Sequence, residues 1–175
     1  MRWRLADLNL SLFGFMGVGK TVVGRMLAER LGLEFIDLDE EIVKRTGKPI
    51  SDIFMKEGEI WFRKLEKSIT HEVSSLDGRV ISCGGGTVLD PDNLKDLRRG
   101  GVMILLTTDP ETILERVGKD SSRPLLGDLD RMDSIRSLLG ERWKRYLEAA
   151  DIIVDTTNGT PDDTVSGILK ALEGV

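Results

Sequence analysis

The segment Gly14–Thr21 constrains the fold more than any other part of the chain. It reads Gly-Phe-Met-Gly-Val-Gly-Lys-Thr and matches the pattern G-x-x-x-x-G-K-[ST] in full. An apolar, strand-like stretch, Asn9–Phe13, precedes it, and a helical pattern, Lys20–Leu31, follows it. In that context glycines let backbone N–H groups turn inward around phosphate oxygens, and the helix N-terminus adds partial positive charge. The segment therefore predicts a phosphate-binding loop, with a plain glycine-rich turn as the alternative.

Short apolar segments alternate with helical patterns along the rest of the chain. The alternation predicts a single α/β domain over residues 1–175, a three-layer α/β/α sandwich around a five-stranded parallel sheet. Ligands of such folds bind beyond the carboxyl ends of the strands. The predicted strands are Asn9–Phe13, Phe35–Ile36, Arg79–Cys83, Val102–Thr107 and Ile152–Val154. The predicted helices are Lys20–Leu31, about 40–46, Ile60–Leu76, Pro91–Arg99, Pro110–Val117, Asp133–Ala149 and Pro161–Leu172.

Composition limits the class of partner and the location. The chain has a formal net charge of −5 and one cysteine, Cys83. An acidic chain is a poor general binder of nucleic acid or anionic membrane, and its longest apolar stretches fall far short of the roughly 20 residues of a membrane span. No secretory signal is recognisable, and one cysteine allows no intrachain disulfide. We therefore expect a cytoplasmic protein without nucleic-acid or membrane partners. A monomer is expected as well, although nothing in the composition decides the oligomeric state.

Lys20 and Thr21 have defined roles in loops of this pattern. The lysine reaches the β- and γ-phosphates of a nucleotide, and the hydroxyl coordinates Mg²⁺. Motor ATPases and GTPases add a metal-binding Asp after another apolar strand, whereas the third predicted strand here runs into Gly84-Gly85-Gly86. The guanine signature Asn-Lys-x-Asp is also missing from the sequence. Both of those classes are therefore disfavoured.

Two acids follow the second predicted strand. Asp37 and Asp39 alternate with Leu38, and alternation in an extended segment puts both carboxylates on the same side. One carboxylate could hold Mg²⁺ waters, and the other could accept the proton of an attacking hydroxyl. Because Asp is a favoured N-cap, Asp39 could instead cap the next helix. The sequence leaves both hypotheses open.

Two arginines lie where a ligand anion could reach them. Apolar residues from Trp61 to Leu76 predict the buried face of the long helix, and Arg63, about 200° round from Trp61, lies off that face. Arg142 shares a helical face with Tyr146, where a charge needs a partner. That partner could be a bound anion or a structural salt bridge. For Arg63 the alternative is an ordinary solvated side chain.

The ordered motifs resemble those of shikimate kinases over nearly the whole chain, from about Leu8 to Leu172. Many families share the phosphate loop, but the combination with Asp-x-Asp, Gly-Glu-x-x-Phe-Arg, triple glycine and Arg-Pro-Leu-Leu is much more specific. The motifs that carry the resemblance are Gly14–Thr21, Val23–Ala28, Phe35–Asp39, Gly58–Arg63, Gly84–Gly86, Arg123–Leu126, and Arg142 with Tyr146.

The resemblance implies a P-loop kinase with a mobile lid. Its implied reaction transfers the γ-phosphoryl group of ATP to the 3-hydroxyl of shikimate and gives shikimate 3-phosphate and ADP, a step of aromatic amino acid biosynthesis. Mg²⁺ is the implied cofactor, and ATP and shikimate are the implied ligands. One alternative is a kinase of another small polyol acid, such as gluconate, or of a nucleoside monophosphate. A regulatory nucleotide-binding module without turnover is the other.

The resemblance also implies a set of site residues, in which two arginines clamp the shikimate carboxylate. The implied catalytic residues are Lys20, Asp39 and Arg123, and the implied metal ligands are Thr21 and Asp37. The implied shikimate-binding residues are Asp39, Arg63, Gly84, Gly85, Gly86 and Arg142. The implied ATP-binding residues are Gly17, Val18, Gly19, Lys20, Thr21, Val22, Arg116, Arg123, Gly159 and Pro161.

Three segments resemble functional regions of that family. The polar segment 118–130 resembles the lid, in which Arg123 is expected to swing over the phosphates. Residues 39–66 resemble the helical region that binds substrate. The turn Asp155–Pro161 resembles the adenine-binding loop, and Gly159 stands where some relatives place a long side chain, so mainly backbone contacts to adenine are expected.

Two residues that often carry chemistry are not expected to do so here. His71, the only histidine, lies between apolar positions of a predicted helix and has no second metal ligand nearby, so we expect a surface residue. Cys83 ends a predicted strand beside the triple glycine without an identifiable base. A buried thiol is therefore expected rather than a nucleophile.

Overall fold

The computed structural model describes residues 7–117 and 131–174. Five parallel strands form one sheet in the order β2-β3-β1-β4-β5. This arrangement confirms the predicted α/β class and the predicted number of strands. The strands are β1 (Asn9–Phe13), β2 (Glu34–Asp37), β3 (Arg79–Ser82), β4 (Gly101–Thr107) and β5 (Ile152–Asp155).

Helices fill the connections between the strands. One helix, α3, is absent from the sequence-based prediction, and a 3₁₀ turn, Thr87–Leu89, follows the triple glycine. The helices are α1 (Lys20–Leu31), α2 (Leu38–Thr46), α3 (Ile50–Lys56), α4 (Glu59–Ser74), α5 (Pro91–Gly100), α6 (Pro110–Val117), α7 (Arg131–Ala149) and α8 (Pro161–Leu172).

The strand order distributes the helices over both faces of the sheet. From β1 the chain crosses to β2 in one direction along the sheet, and from β2 to β3, β3 to β4 and β4 to β5 it crosses in the other direction. Because such crossovers are right-handed, α1 covers one face and the helices of the later connections cover the opposite face. The last helix, α8, packs against α1. The result is the predicted three-layer sandwich.

The middle of the sheet forms the core. Every residue of β1 is buried, and β4 is buried from Val102 to Leu106. Strands covered on both faces often read as continuous apolar runs, which is the pattern of β4. In β1 the polar residues Asn9 and Ser11 are buried between apolar neighbours. None of the described helices combines the length and the apolar character that a membrane span requires.

The buried face of α4 differs from the predicted one. Trp61 is 41% exposed, whereas its neighbour Phe62 is buried. Phe62, Glu66, Ile69 and Val73 are the residues that α4 buries at helical spacing. The prediction holds for Ile69 and Val73 but was wrong for the first turns, because Trp61 and Phe62 are both apolar and the buried acid Glu66 interrupts the apolar series.

Candidate active site

The phosphate loop connects β1 to α1 with the backbone that its glycines permit. Gly14 has φ +143°, and a Cβ at this position would overlap the carbonyl oxygen of Leu106 in β4. Gly19, the N-cap of α1, has φ +94°. Residues other than glycine rarely adopt these backbone angles. The sequence therefore folds the loop close against the sheet and leads it directly into the N-terminus of α1.

Lys20 lies back across the loop that it follows. Its Nζ donates hydrogen bonds to the carbonyl oxygens of Gly14, at 3.1 Å, and Phe15, at 2.8 Å. The next residue, Thr21, donates its hydroxyl hydrogen to Asp37 Oδ2 at 2.8 Å. The loop thus carries an ammonium group and a hydroxyl at the start of α1, where the helix dipole also favours anions.

Asp37, rather than Asp39, caps α2. Its Oδ1 accepts hydrogen bonds from the backbone N–H groups of Asp39, at 3.0 Å, and Glu40, at 3.3 Å. The helix begins at Leu38, so Asp39 lies in the first helical turn and not in an extended segment. The alternation argument and the hypothesis that Asp39 caps the helix were therefore both wrong, because the helix begins earlier than predicted.

A cavity of about 430 Å³ lies beyond the carboxyl ends of β1, β2 and β3. It joins the phosphate loop to both acids, both arginines and the triple glycine. The predicted site residues that line it are Gly17, Gly19, Lys20, Thr21, Val22, Asp37, Asp39, Arg63, Gly84, Gly85, Gly86 and Arg142. The residues that line it without having been predicted are Met16, Ile50, Phe54, Phe62, Glu66, Ser82 and Cys83.

Arg63 is held by a buried carboxylate. Glu66 is 2% exposed, and it accepts hydrogen bonds from Arg63 Nη1 at 2.7 Å and from Thr87 Oγ1 at 2.8 Å. Burial lowers the pKa of Arg63, but Glu66 and the more distant Glu59 outweigh that effect and raise this pKa above its ordinary value. Arg63 is therefore a fixed cation at the cavity wall and not an ordinary solvated side chain.

Glu66 is the main residue of the cavity that the sequence-based prediction missed. A signal was present, because Glu66 lies four residues after Phe62 and three before Ile69, on the buried face of α4. An acid at such a position needs a charged or hydrogen-bonding partner. The spacing of three between Arg63 and Glu66 allows that partner on the same helix.

The triple glycine passes between the charged side chains of the cavity. A Cβ built on Gly86 would lie 2.6 Å from Arg63 Nη2, and one built on Gly85 would lie 3.4 Å from Arg142 Nη1. At Gly84 a Cβ would lie 3.1 Å from Asp39 Oδ1. Glycine is therefore required at this turn chiefly for space, since it lets the backbone approach these three groups.

Arg142 is buried next to the same turn. It donates a hydrogen bond to the Gly85 carbonyl oxygen at 3.4 Å, and its guanidinium lies 5.8 Å from the centre of the Phe15 ring. The Tyr146 hydroxyl donates to the same oxygen at 2.5 Å, and burial raises the pKa of Tyr146 despite the charge of Arg142. No carboxylate in the described part of the chain forms a salt bridge with Arg142.

Arg116, Gly159 and Pro161 lie outside this cavity. Arg116 donates hydrogen bonds to the carbonyl oxygens of Gly17, at 3.2 Å, and Thr156, at 2.9 Å. Gly159 lies in the turn before α8, and Pro161 is the first residue of that helix. Arg116 thus contacts the phosphate loop at Gly17, and Val18, the next residue of the loop, is buried. Arg123 and the segment 118–130 lie outside the described residues.

His71 and Cys83 have the predicted exposures, His71 at the surface and Cys83 buried. His71 is exposed on α4, with Nδ1 2.8 Å from Asp96 Oδ2. Cys83 is buried at the end of β3, and this burial raises the pKa of its thiol. Within residues 7–117 and 131–174, no three His, Cys, Asp or Glu side chains form a cluster that could hold a metal ion.

Known proteins share both the sequence and the fold. Residues 16–173 match the family model described as shikimate kinase. A shikimate kinase of Pelotomaculum thermopropionicum is 46% identical over 165 residues, which cover 94% of this chain and 95% of that protein. A shikimate kinase of Caldanaerobacter subterraneus is 42% identical over 163 residues, with 93% and 95% covered.

Solved structures give the same result. Shikimate kinase from Acinetobacter baumannii in complex with shikimate superposes with a TM-score of 0.93 at 38% identity, covering 97% of this chain and 96% of that one. Shikimate kinase from Aquifex aeolicus has a TM-score of 0.81 at 38% identity, with 95% and 97% covered. With a family model that spans most of its length and relatives of this similarity, the chain belongs to the shikimate kinase family.

Proposed function

We propose that this chain transfers the γ-phosphoryl group of ATP to the 3-hydroxyl of shikimate, giving shikimate 3-phosphate and ADP. The observation that carries the proposal is one cavity that is lined both by the phosphate loop and by the pair Arg63 and Arg142. A small acid with hydroxyl groups can contact the two arginines and present a hydroxyl to the loop. The similarity to a structure determined in complex with shikimate supports this choice of acid.

On the acceptor side, Arg63 and Arg142 bind the shikimate carboxylate. A guanidinium forms two parallel hydrogen bonds with a carboxylate. Such a contact orients the shikimate ring and also strengthens its binding. Glu66 supports this function because it fixes Arg63 Nη1 at 2.7 Å. The remaining donors contact the exposed Glu59, at 3.4 Å or more, which a ligand carboxylate can replace. Asp39 accepts hydrogen bonds from ring hydroxyls, and the backbone of Gly84–Gly86 lies against the ring.

On the nucleotide side, the loop and the start of α1 bind the triphosphate. Backbone N–H groups of the loop and the Lys20 ammonium contact the β- and γ-phosphates. Beyond the loop, Arg116, Gly159 and Pro161 contact the adenine. The proposed residues of this part are Gly17, Val18, Gly19, Lys20, Thr21, Val22, Arg116, Arg123, Gly159 and Pro161.

Thr21 and Asp37 fit Mg²⁺. The Thr21 hydroxyl and the Asp37 carboxylate are hard oxygen donors 2.8 Å apart. Mg²⁺ is usually held by one or two protein oxygens together with substrate phosphates and water, and not by an all-protein cage. When bound, Mg²⁺ would neutralise charge on the β- and γ-phosphates. Thr21 and Asp37 would hold it beside the phosphate loop.

In the transfer step, the shikimate 3-oxygen attacks the γ-phosphorus in line with the leaving oxygen of ADP. The new P–O bond forms as the bond to ADP breaks, and the proton of the 3-hydroxyl passes to Asp39 or is held by it. Lys20 stabilises the charge on the transferred group, and Arg123 is proposed to do the same from the segment 118–130. Positioning and electrostatics of this kind supply most of the catalysis in phosphoryl transfer.

An acceptor panel tests the proposal. ADP release from Mg-ATP is measured with shikimate, with gluconate and with nucleoside monophosphates. We expect release that depends on shikimate alone. Release with another acceptor only would leave the kinase assignment intact and would contradict the carboxylate clamp proposed for shikimate. ATP binding without transfer to any acceptor would support the regulatory module instead. The monomeric state and the cytoplasmic location stay predictions.

A further inference from the structure

The outer side of the phosphate loop is held by two side chains from distant parts of the chain. Arg116 Nη1 donates a hydrogen bond to the Gly17 carbonyl oxygen at 3.2 Å. Thr156 Oγ1 lies 3.2 Å from the Val18 carbonyl oxygen, to which it donates. Neither donor lines the cavity, whereas Gly17 does. Two successive peptide carbonyls of the loop are thus bonded on the side opposite to the cavity.

Thr156 is well placed to orient the Val18 carbonyl because it is itself fixed. It is 4% exposed, and its backbone N–H donates to the Thr107 carbonyl oxygen at 2.8 Å. Its hydroxyl also lies 3.1 Å from that oxygen, so the hydroxyl hydrogen is shared between the Thr107 and Val18 carbonyl oxygens. Arg116 donates to the Thr156 hydroxyl at 3.2 Å and to the Thr156 carbonyl at 2.9 Å. The two side chains therefore act as one unit.

Because the peptide bond is planar, these contacts also determine the direction of the loop N–H groups on the ligand side. In a planar trans peptide the C=O and the following N–H point in opposite directions. Holding the Gly17 carbonyl outward therefore turns the Val18 N–H inward, and holding the Val18 carbonyl outward turns the Gly19 N–H inward. Inward N–H groups are what a loop of this kind uses to bind phosphate.

We propose that Arg116 and Thr156 are positioning residues of the phosphate loop, which hold the Gly17 and Val18 peptides in the orientation that binds phosphate. This role differs from the adenine contact proposed for Arg116, since it acts on phosphate even where no base is present. The inference rests on the proposed nucleotide site and does not depend on shikimate being the acceptor.

Inorganic tripolyphosphate separates the two roles, because it offers phosphates to the loop without adenosine. We compare dissociation constants of ATP and tripolyphosphate, both with Mg²⁺, for the whole chain and for Thr156→Val. Because a lost hydrogen bond of this kind changes affinity by about tenfold, we expect both constants to rise by about that factor. Thr156→Ser, which keeps the hydroxyl, should restore both.

Thr164→Val is the matched control. Thr164 is also 4% exposed, and its hydroxyl also donates to a backbone carbonyl oxygen at 3.2 Å, that of Thr160 in the same region. We expect this variant to keep both dissociation constants. A rise for ATP alone in Thr156→Val would overturn the proposal, because the residue would then act on the adenosine part. No change in either constant would overturn it as well.

Arg116→Met tests the second side chain and also guards against loss of folding in Thr156→Val, since Arg116 is exposed. We expect a severalfold weaker binding of tripolyphosphate. Arg136→Met removes the same charge from an exposed arginine of α7, which pairs with Glu111 of α6, the helix that also carries Arg116. This variant should leave tripolyphosphate binding unchanged. Equal losses of tripolyphosphate affinity in the two variants would overturn the positioning role, because Arg116 would then act only through its charge. Weaker binding of ATP alone in Arg116→Met would also overturn it, because Arg116 would then contact only the adenine.

Discussion

Thr21 donates its hydroxyl hydrogen to Asp37 over 2.8 Å, and the other oxygen of the same carboxylate caps α2. One carboxylate therefore joins the start of the nucleotide-binding helix α1 to the helical turn that carries Asp39. Because the Thr21 hydroxyl gives its hydrogen to Asp37, its lone pairs are available to a cation. This contact links the proposed metal ligands to Asp39, the proposed catalytic base.

Asp37→Asn separates the two proposed roles of Asp37, capping of α2 and binding of Mg²⁺. Asn caps helices as well as Asp does, so the melting temperature should change little. A neutral amide is a poorer Mg²⁺ ligand, and we expect the Mg²⁺ concentration for half-maximal activity to rise about tenfold or more. Asp90→Asn is the control, since Asp90 caps α5 by the same two backbone contacts away from the site. An unchanged Mg²⁺ requirement in Asp37→Asn would refute the metal role of Asp37.

Asp39→Asn should separate catalysis from nucleotide binding. Loss of a general base costs about 10²–10⁴-fold in rate, so we expect kcat to fall by at least about 100-fold, with the dissociation constant of ATP nearly unchanged. Glu40→Gln changes the neighbouring exposed acid, which pairs with Arg25, and should keep kcat within about twofold. A parallel loss of ATP binding in Asp39→Asn would assign Asp39 a structural or metal role instead.

Glu66→Gln should weaken shikimate binding through Arg63. The buried carboxylate holds that guanidinium at 2.7 Å, and a charge-assisted hydrogen bond of this kind contributes about 1.5–3 kcal/mol. We expect KM for shikimate to rise about tenfold or more, while KM for ATP stays the same. Glu59→Gln removes the exposed partner of Arg63, 3.4 Å away, and should change KM by less than about twofold. Similar effects of both variants would contradict the special role of Glu66.

Gly86→Ala should displace Arg63 without unfolding the protein. Gly86 has φ −100° and ψ −11°, which alanine adopts freely, but the new Cβ would lie 2.6 Å from Arg63 Nη2. Because the end of a flexible side chain can move, the new Cβ would displace the Arg63 guanidinium rather than distort the backbone. We expect KM for shikimate to rise at least about tenfold at a nearly unchanged melting temperature; a 1.4 kcal/mol change corresponds to that factor.

Gly140→Ala is the control for Gly86→Ala. Gly140 lies within α7, and a Cβ there would have no atom within 4 Å. Alanine in a helix interior is favoured over glycine by about 0.5–1 kcal/mol, so this variant should raise the melting temperature and keep KM. If Gly86→Ala left KM for shikimate unchanged, the close approach of Gly86 and Arg63 would have no function in binding.

Cys83 should resist alkylation in the folded protein although it lines the cavity. The thiolate is the reactive form, and burial raises the pKa of Cys83, so the neutral thiol persists at pH values where an exposed cysteine ionises. With iodoacetamide at about pH 8, near the ordinary pKa of a free thiol, we expect no modification by mass spectrometry until urea unfolds the chain. Rapid alkylation of the folded protein would contradict the burial of this thiol.

The fold could be predicted because its signals are local. The pattern Gly14–Thr21 fixes a strand, a turn and a helix in order, and the alternation of apolar segments implies a parallel sheet. Element boundaries were less accurate. The helix α3 escaped prediction because it has seven residues and buries only Ile53. The start of α2 was set too late because the capping role of Asp37 depends on contacts with Asp39 and Glu40.

The site could be predicted only in part, because its contacts join distant residues. Spacing indicated two acids and two arginines, and the structure brings Asp37, Asp39, Arg63 and Arg142 to one cavity. The argument for Arg63 used the wrong buried face of α4, although its conclusion that Arg63 is accessible to the cavity holds. The contact between Thr156 and the Val18 carbonyl spans 138 positions, and no local pattern in the sequence encodes such a pairing.

The identity and position of the phosphorylated product decide whether the proposed reaction is the one this chain performs. Purified protein is mixed with Mg-ATP and shikimate, and phosphorus NMR follows the phosphate groups with time. We predict one phosphate monoester on the shikimate 3-hydroxyl for every ADP formed, and neither product without the protein. Free inorganic phosphate in place of the monoester, or unchanged ATP in the presence of shikimate, would contradict the proposed transfer.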